Sequence, residues 1–261
     1  MLKAGIFLDV ENLTRNGGYG MRFRAVKELV EAQGGTVLRA NAYMARDAER
    51  ESHDDEYRRK KEGYRDRVRR EGFHLVLKEV RRYRDAEGEL VTKANADLDL
   101  AVDALLQAEN LDYVLLGTGD VDFLRLVRAL QTRGKRVDLL SFANTSEALR
   151  REVDNHFSGF LMPGVLPDDP ETEHRERGIL HAVNEEKGFG FLTVQTGLGV
   201  DDVRDDIFLH ITDLTDVRGG TPSNERFAEL KNRRAIIDFE LEAQDEDRVK
   251  AVNAAVFQSR S

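Results

Sequence analysis

Leu116-Gly117-Thr118-Gly119-Asp120-Val121-Asp122-Phe123 is the stretch whose reading decides the fold. The apolar run 113–116 reads as a buried strand, and it breaks at Gly-x-Gly directly before two aspartates and a helical period over 120–132 that closes at Gly134. Strand, tight turn and helix form half of a parallel β/α unit, and the same unit recurs on either side. Residues 4–10 form an apolar run stopped at Asp9. Residues 22–33 place Phe23, Val26, Leu29 and Val30 at helical spacing before Gly34-Gly35. Strands are expected at 36–44, 73–82 and 137–140, a turn at 85–88, a charged exposed helix at 54–71 and a short helix at 145–151. A helix over 97–108 is expected to bury Leu98, Ala101, Val102, Leu105 and Leu106. The alternation predicts an α/β domain: a Rossmann-like, mostly parallel sheet flanked by helices, with ligands beyond the carboxyl ends of its strands.

Three of the four prolines fall within 163–170, followed by charged residues with nothing to bury, so 163–175 reads as a linker between domains at 1–162 and 176–261. Beyond it the texture changes to short alternating segments at 179–183, 189–194, 207–210, 235–241 and 251–257, the pattern of a small five-stranded β-barrel. Charge divides the same way. After residue 166 there are 12 Lys+Arg against 21 Asp+Glu, leaving 28 of each before it, so the whole net charge of −9 belongs to the C-terminal part.

Charged residues make up 34% of the 261, mean hydropathy is −0.53 and there is no cysteine. Disulfides, iron–sulfur clusters, thiolate metal sites and cysteine nucleophiles are excluded. No apolar run approaches the roughly 20 residues of a membrane span, and Asp9 comes too early for a signal-peptide core. A cytoplasmic protein without membrane contact is expected.

Asp9, Asp97, Asp120 and Asp122 all fall where a strand ends or a helix begins. Aspartate caps helices well, but carboxylates delivered from separate segments to one sheet edge repel each other unless a cation joins them. Oxygen donors alone suit Mg²⁺ or Mn²⁺. The motifs Asp9-x-x-Asn12, Lys93 with Asp97 and Asp103, and Gly-Thr-Gly-Asp120-Val-Asp122-Phe123 resemble the three signatures of NYN-domain (LabA-like) nucleases of the PIN-like fold, over about 3–160. Thr118 and Val121 stand where that family has serines, and Lys93-Ala-Asn-Ala-Asp97 is one residue longer than its Lys-Gly-Val-Asp.

The resemblance implies a metal-dependent ribonuclease, with a DNA nuclease or a non-catalytic RNA-binding scaffold as alternatives. It places Asp9, Asp97, Asp120 and Asp122 on the metal and Asn12 beside Asp9 or the scissile phosphate. Asp103 stands behind the ligands, and Lys93 and Thr118 lie toward the substrate. Homodimers are expected from PIN-like relatives that pair. Asp99 reads as solvated surface.

Basic bunches at 58–61, 65–70 and 81–84 are candidate phosphate contacts, chiefly Arg81, Arg82 and Arg84 around Tyr83. His53, His74 and His156 read as structural. In the C-terminal part, Lys187-Gly-Phe-Gly-Phe-Leu192 and Ile207-Phe-Leu-His210 resemble the two ribonucleoprotein motifs of cold-shock domains, an OB-type barrel. That implies a platform of Phe189, Phe191, Phe208 and His210 for single-stranded RNA, with Lys187 on phosphate. His181-Ala182-Val183-Asn184 replaces the family's Lys-Trp-Phe-Asn, removing two aromatics.

Overall fold

A run that is apolar without alternation can be a strand only if both of its faces are covered. Residues 4–9 of β1 (Leu2–Asp9) are accordingly all buried. In the computed structural model the described residues are 1–84, 90–93, 96–168, 170, 174–245 and 248–259, with backbone alone described at 81–84, 90–93 and 245. They fall into two compact units, Met1–Gly159 and Phe160–Arg260.

In the first unit β1 runs into a one-turn helix, α1 (Val10–Leu13). Then follow α2 (Phe23–Ala32), β2 (Gly35–Arg46), α3 (Ala48–His53), α4 (Asp55–Arg70), β3 (His74–Glu79), β4 (Arg81–Arg84) and β5 (Leu90–Lys93). α5 (Asp97–Gln107), β6 (Tyr113–Gly117), α6 (Leu124–Thr132), β7 (Arg136–Ser141), α7 (Glu147–Glu152) and β8 (Asn155–Ser158) complete it. Six strands form one parallel sheet in the order β3-β2-β1-β6-β7-β8. The chain therefore builds outward from β1 on one side, returns to the centre with β6 and builds outward on the other. The reversal lies between β1 and β6, where crevices form in such sheets. Gly117 permits the contact there: a Cβ on it would stand 2.4 Å from Leu8 Cδ2.

Several expectations are corrected. The segment 73–82 is not one strand. It divides into β3, in the main sheet, and β4, which pairs with β5 in a separate antiparallel ribbon. The turn expected at 85–88 lies outside the described residues. β8 had been read as no element at all. The helix over 120–132 begins as a 3-10 turn at Val121–Phe123 before α6. The face of α5 is also different: Leu100 and Ala104 are buried with Phe7, Val114 and Leu116, whereas Leu98, Val102 and Leu106 are exposed. Apolar residues stand on two sides of the polar stripe Asp99, Asp103 and Gln107 of α5, Leu98, Val102 and Leu106 on one and Leu100 and Ala104 on the other, so periodicity did not single out the buried face. The small side chains of Ala104 and Ala108 let that side approach the sheet.

The second unit contains β9 (Arg175–Asn184), β10 (Phe189–Gln195), β11 (Val203–His210), the two-residue β12 (Leu214–Thr215), α8 (Asn224–Asn232), β13 (Ile236–Asp245) and β14 (Arg248–Val256). Antiparallel pairing runs β11-β10-β9-β13-β14, and β11 meets β14 at Phe208 and Lys250, closing a five-stranded barrel to which β12 adds at β14. Leu180, Leu192, Ile207, Leu209, Ile237 and Phe239 fill it. α8 is an element the sequence reading lacked. Ser223 caps it by accepting from the Arg226 N–H, and Phe227 and Leu230 are buried. With so few apolar positions in nine residues its period is too short to read.

One buried ion pair ties α3 to α4. Glu51 accepts from Arg65 at 2.5 Å with both side chains under a tenth exposed, and Arg46 adds a second contact at 3.1 Å. The Arg65 hydrogen bond, chiefly, holds the Glu51 carboxyl below its ordinary 4.5. Such a group contributes stability above the unfolded value and loses it as pH falls through the folded one. Removing one member of a buried pair costs about 3–5 kcal/mol. Glu51→Gln is therefore expected to lower the unfolding free energy by about 3 kcal/mol at pH 7, with the gap to wild type closing below pH 4.5 in denaturant titrations.

Candidate active site

The crevice at the β1/β6 reversal is built from backbone groups that need acceptors. Asp9 ends β1 and caps α1, its Oδ1 accepting from the Asn12 N–H at 3.1 Å. Asn12 then reaches across the sheet end, its Oδ1 accepting from the Gly119 N–H at 2.8 Å. Gly119 is held on the other side by Ser146, whose N–H donates to the Gly119 carbonyl. A Cβ on Gly119 would stand 3.3 Å from Thr145 Cα. Asp120 caps the 3-10 turn by accepting from the Asp122 N–H at 3.0 Å, and its own N–H donates to Thr118 Oγ1 at 3.2 Å. Helix capping is thus part of the role of both aspartates. In each case the capping bond uses one carboxylate oxygen, Oδ1.

Those acids influence one another. Burial pushes the Asp9 carboxyl up to about 6, and the charges of Asp97, Glu11 and Asp120 push the same way. Asp97, in the first turn of α5, is raised by burial and then by Asp120, Asp122 and Glu11. Three segments distant in sequence therefore do converge at the crevice, and Asp122 stands exposed at its rim. Glu11 is a member that sequence reading missed, although it lies two residues from Asp9. Its Oε1 accepts from the Ala45 N–H and its Oε2 pairs with Arg15, which fixes the carboxylate near both aspartates.

The other expected residues divide. Thr118 is fully buried, so its hydroxyl positions Asp120 from below and does not line the substrate side. Asp103 accepts from the Tyr43 hydroxyl at 2.8 Å, and burial together with this bond raises the Tyr43 phenol. Asp99 is no solvated bystander: Lys78 Nζ donates to both of its oxygens, at 2.8 and 3.1 Å. Lys93, Arg81, Arg82 and Arg84 lie on the β4/β5 ribbon, with Arg81 opposite Lys93. Their side chains are outside the described residues. Asn16 was also unforeseen. It donates to the Asn12 carbonyl at 2.7 Å and accepts from Asn144 at 3.0 Å, tying the loop after β7 to Asn12. His156 is structural as expected, its Nε2 meeting the buried Ser141 hydroxyl at 2.7 Å.

On the barrel, Phe189, Phe191 and Phe208 form one half-buried aromatic cluster. The Phe189 and Phe208 rings lie 5.6 Å apart and inclined at 30°, and Phe191 stands edge-on to both. His181 extends the cluster, its ring 6.4 Å from Phe191, so the position where the family has lysine supplies a ring beside the two aromatics lost at Ala182 and Val183. His210 lies opposite Phe189 but is drawn into a cap, its Nδ1 accepting from the Thr212 N–H. The exposed Lys187 follows the Asn184 turn, where its N–H donates to Asn184 Oδ1.

Comparison with known families decides the relationship: residues 3–161 match the NYN domain model. The chain belongs to the NYN-domain family. NYN domains are nuclease-type domains of the PIN-like fold, which accords with the parallel sheet and the acids at its reversal. A solved structure of a protein of unknown function from Vibrio parahaemolyticus is similar at 28% identity, covering 60% of this chain and 92% of that one, with a TM-score of 0.49. No curated protein matches. No helix among the described residues is long and apolar enough to cross a membrane.

NYN-type nucleases typically use divalent metals. The donor set here fits such an ion in chemistry, being all carboxylate, with Asp9 nine-tenths buried, raised, and paired with no lysine or arginine among the described residues. As they stand, no three acidic or histidine side chains among the described residues are drawn together closely enough to hold an ion.

The Asp9 shift gives a test. A carboxyl raised in the folded state contributes stability below its unfolded value, 3.8, and loses it as pH rises through about 6. Asp9→Asn removes this burden and keeps an acceptor for Asn12. The variant is expected to be more stable than wild type by up to about 3 kcal/mol at pH 7.5 without metal, and equal to it near pH 4. Mn²⁺ should raise the melting temperature of wild type at pH 7.5 and leave the variant unmoved.

Proposed function

We propose that this NYN protein is a metal-dependent ribonuclease that hydrolyses phosphodiester bonds of single-stranded RNA, held in part by its C-terminal barrel. The reading rests on one observation above all: a buried carboxylate, Asp9, raised chiefly by burial and further by the charges of Asp97, Glu11 and Asp120, where the parallel sheet reverses. Clustered carboxylates so placed are costly without a cation. Asp9, Asp97, Asp120 and Asp122 would hold Mg²⁺ or Mn²⁺, and Asp9 and Asp120 would turn toward it the oxygens that their helix caps leave over.

The ion would supply activation of water and neutralisation of charge on the phosphate. The chain's own part is positional. Asn12 locks the end of β1 to the Gly119 turn, so that Asp9 and Asp120 keep their spacing. Asp99, through Lys78, and Asp103, through Tyr43, anchor α5 and with it Asp97. Arg81, Arg82, Arg84 and Lys93, on one ribbon, would draw in the phosphate backbone. A single-stranded substrate is supported by the barrel, whose aromatic cluster suits unpaired bases despite its net negative charge, and the choice of RNA over DNA follows the NYN resemblance.

Two assays test the proposal. Incubated with labelled single-stranded RNA or DNA, the protein should cut RNA with Mn²⁺ or Mg²⁺ and not with EDTA. Asp120→Asn should slow cutting by at least about 100-fold, the scale of losing a few kcal/mol of charge stabilisation. Faster cutting of DNA would make it a DNA nuclease, and binding without cutting under every metal would leave a scaffold. Separately, Phe191→Ala should weaken single-stranded RNA binding about tenfold, as for loss of one stacked base.

A further inference from the structure

The barrel carries a cavity of about 510 Å³ that the reading above does not use, lined by Asp213, Thr215, Thr221, Glu242, Lys250 and Asn253 among others. Its place relative to the aromatic cluster follows from strand register. Glu242 lies opposite Lys250, Lys250 opposite Phe208, Phe208 opposite Phe191, and Phe191 opposite Ala182. Residues paired across neighbouring strands share a face. One row therefore runs over the barrel surface from the phenylalanines to Lys250 and Glu242, so the rings and the cavity lie along one line.

The polar groups there are of a particular kind. Lys250 Nζ stands 3.0 Å from Asp213 Oδ2, yet that buried oxygen has no hydrogen-bond donor in line with it. The ammonium is thus held as an ion pair, and with three N–H groups it keeps donors beyond that one contact. Glu242 is exposed and pairs with no arginine or lysine among the described residues. A carboxylate beside an ammonium accepts two hydrogen bonds and donates one. Among the four bases, guanine alone has two adjacent donors, N1–H and N2–H, beside an acceptor, O6. Uracil offers one donor between two acceptors, cytosine one donor beside two acceptors, and adenine one donor beside one acceptor.

We propose that this cavity is a guanine-recognition site: Glu242 accepts from N1–H and N2–H, Lys250 donates to O6, and Asp213 fixes Lys250. The inference rests on the barrel's binding of single-stranded RNA and adds base selectivity to it. The base could come from the strand or from a free guanine nucleotide, and the test separates the two.

With full-length protein in EDTA at fixed salt, anisotropy would compare a uridine-only 12-mer, the same strand with one interior guanine, and the same strand with inosine there. The guanine strand is expected to bind at least about tenfold more tightly than the uridine strand. Inosine, which lacks N2–H, should lose most of that gain, and Glu242→Gln should remove it. Equal affinities for the three strands would overturn the inference and leave the barrel's RNA binding standing. Failure of all three to bind would overturn both. Competition by GMP without a guanine preference in the strand would place a free nucleotide in the cavity and refute selectivity toward RNA. The inosine comparison changes the ligand alone, so it holds even where Glu242→Gln disturbs folding.

Discussion

A carboxylate at the end of a fully buried strand must be compensated, and the first unit is arranged around how Asp9 is. β1 is covered on both faces, so its last residue sits in low dielectric with one hydrogen bond from Asn12 and three acids nearby. That cost is borne because packing around β1 and β6 over-determines the geometry. Leu8 presses on Gly117, Asn12 bridges to Gly119, and Asn16 links both to the loop after β7. Electrostatic repulsion is stored where the polypeptide is least able to relax it. This is the condition under which a bound cation gains most.

The residues behind the acids matter as much as the acids. Lys78 and Tyr43, on neighbouring strands, neutralise or hydrogen-bond Asp99 and Asp103, so of the three aspartates of α5 it is Asp97 whose charge is felt by the acids of the crevice. Thr118 performs a similar service from beneath, its hydroxyl oxygen accepting from the Asp120 N–H. The site is consequently a small number of high-energy carboxylates on a well-satisfied polar base.

The barrel solves a different problem. Its net charge opposes polyanions, so the RNA binding proposed for it would have to come from contacts that do not depend on long-range field. Aromatic faces and a local ammonium beside Phe208 are such contacts, and they lie on one row of the closed sheet. Closure brings that row together: Phe208 and Lys250 are 42 residues apart and meet only where β11 joins β14.

The amino-acid sequence by itself determined the β/α alternation, the change of texture near residue 163, the acids at strand ends and the aromatic motifs, because each is written in local periodicity or in residues a few positions apart. It did not determine which face of α5 is buried, since apolar residues flank its polar stripe on both sides and only the small residues Ala104 and Ala108 fit against the sheet. Nor did it place Lys78 on Asp99, Tyr43 on Asp103, Glu11 beside Asp9 or His181 beside Phe191, which depend on neighbours across strands. Sheet order and barrel closure decided those, because only they convert separations of tens of residues into distances of a few ångströms.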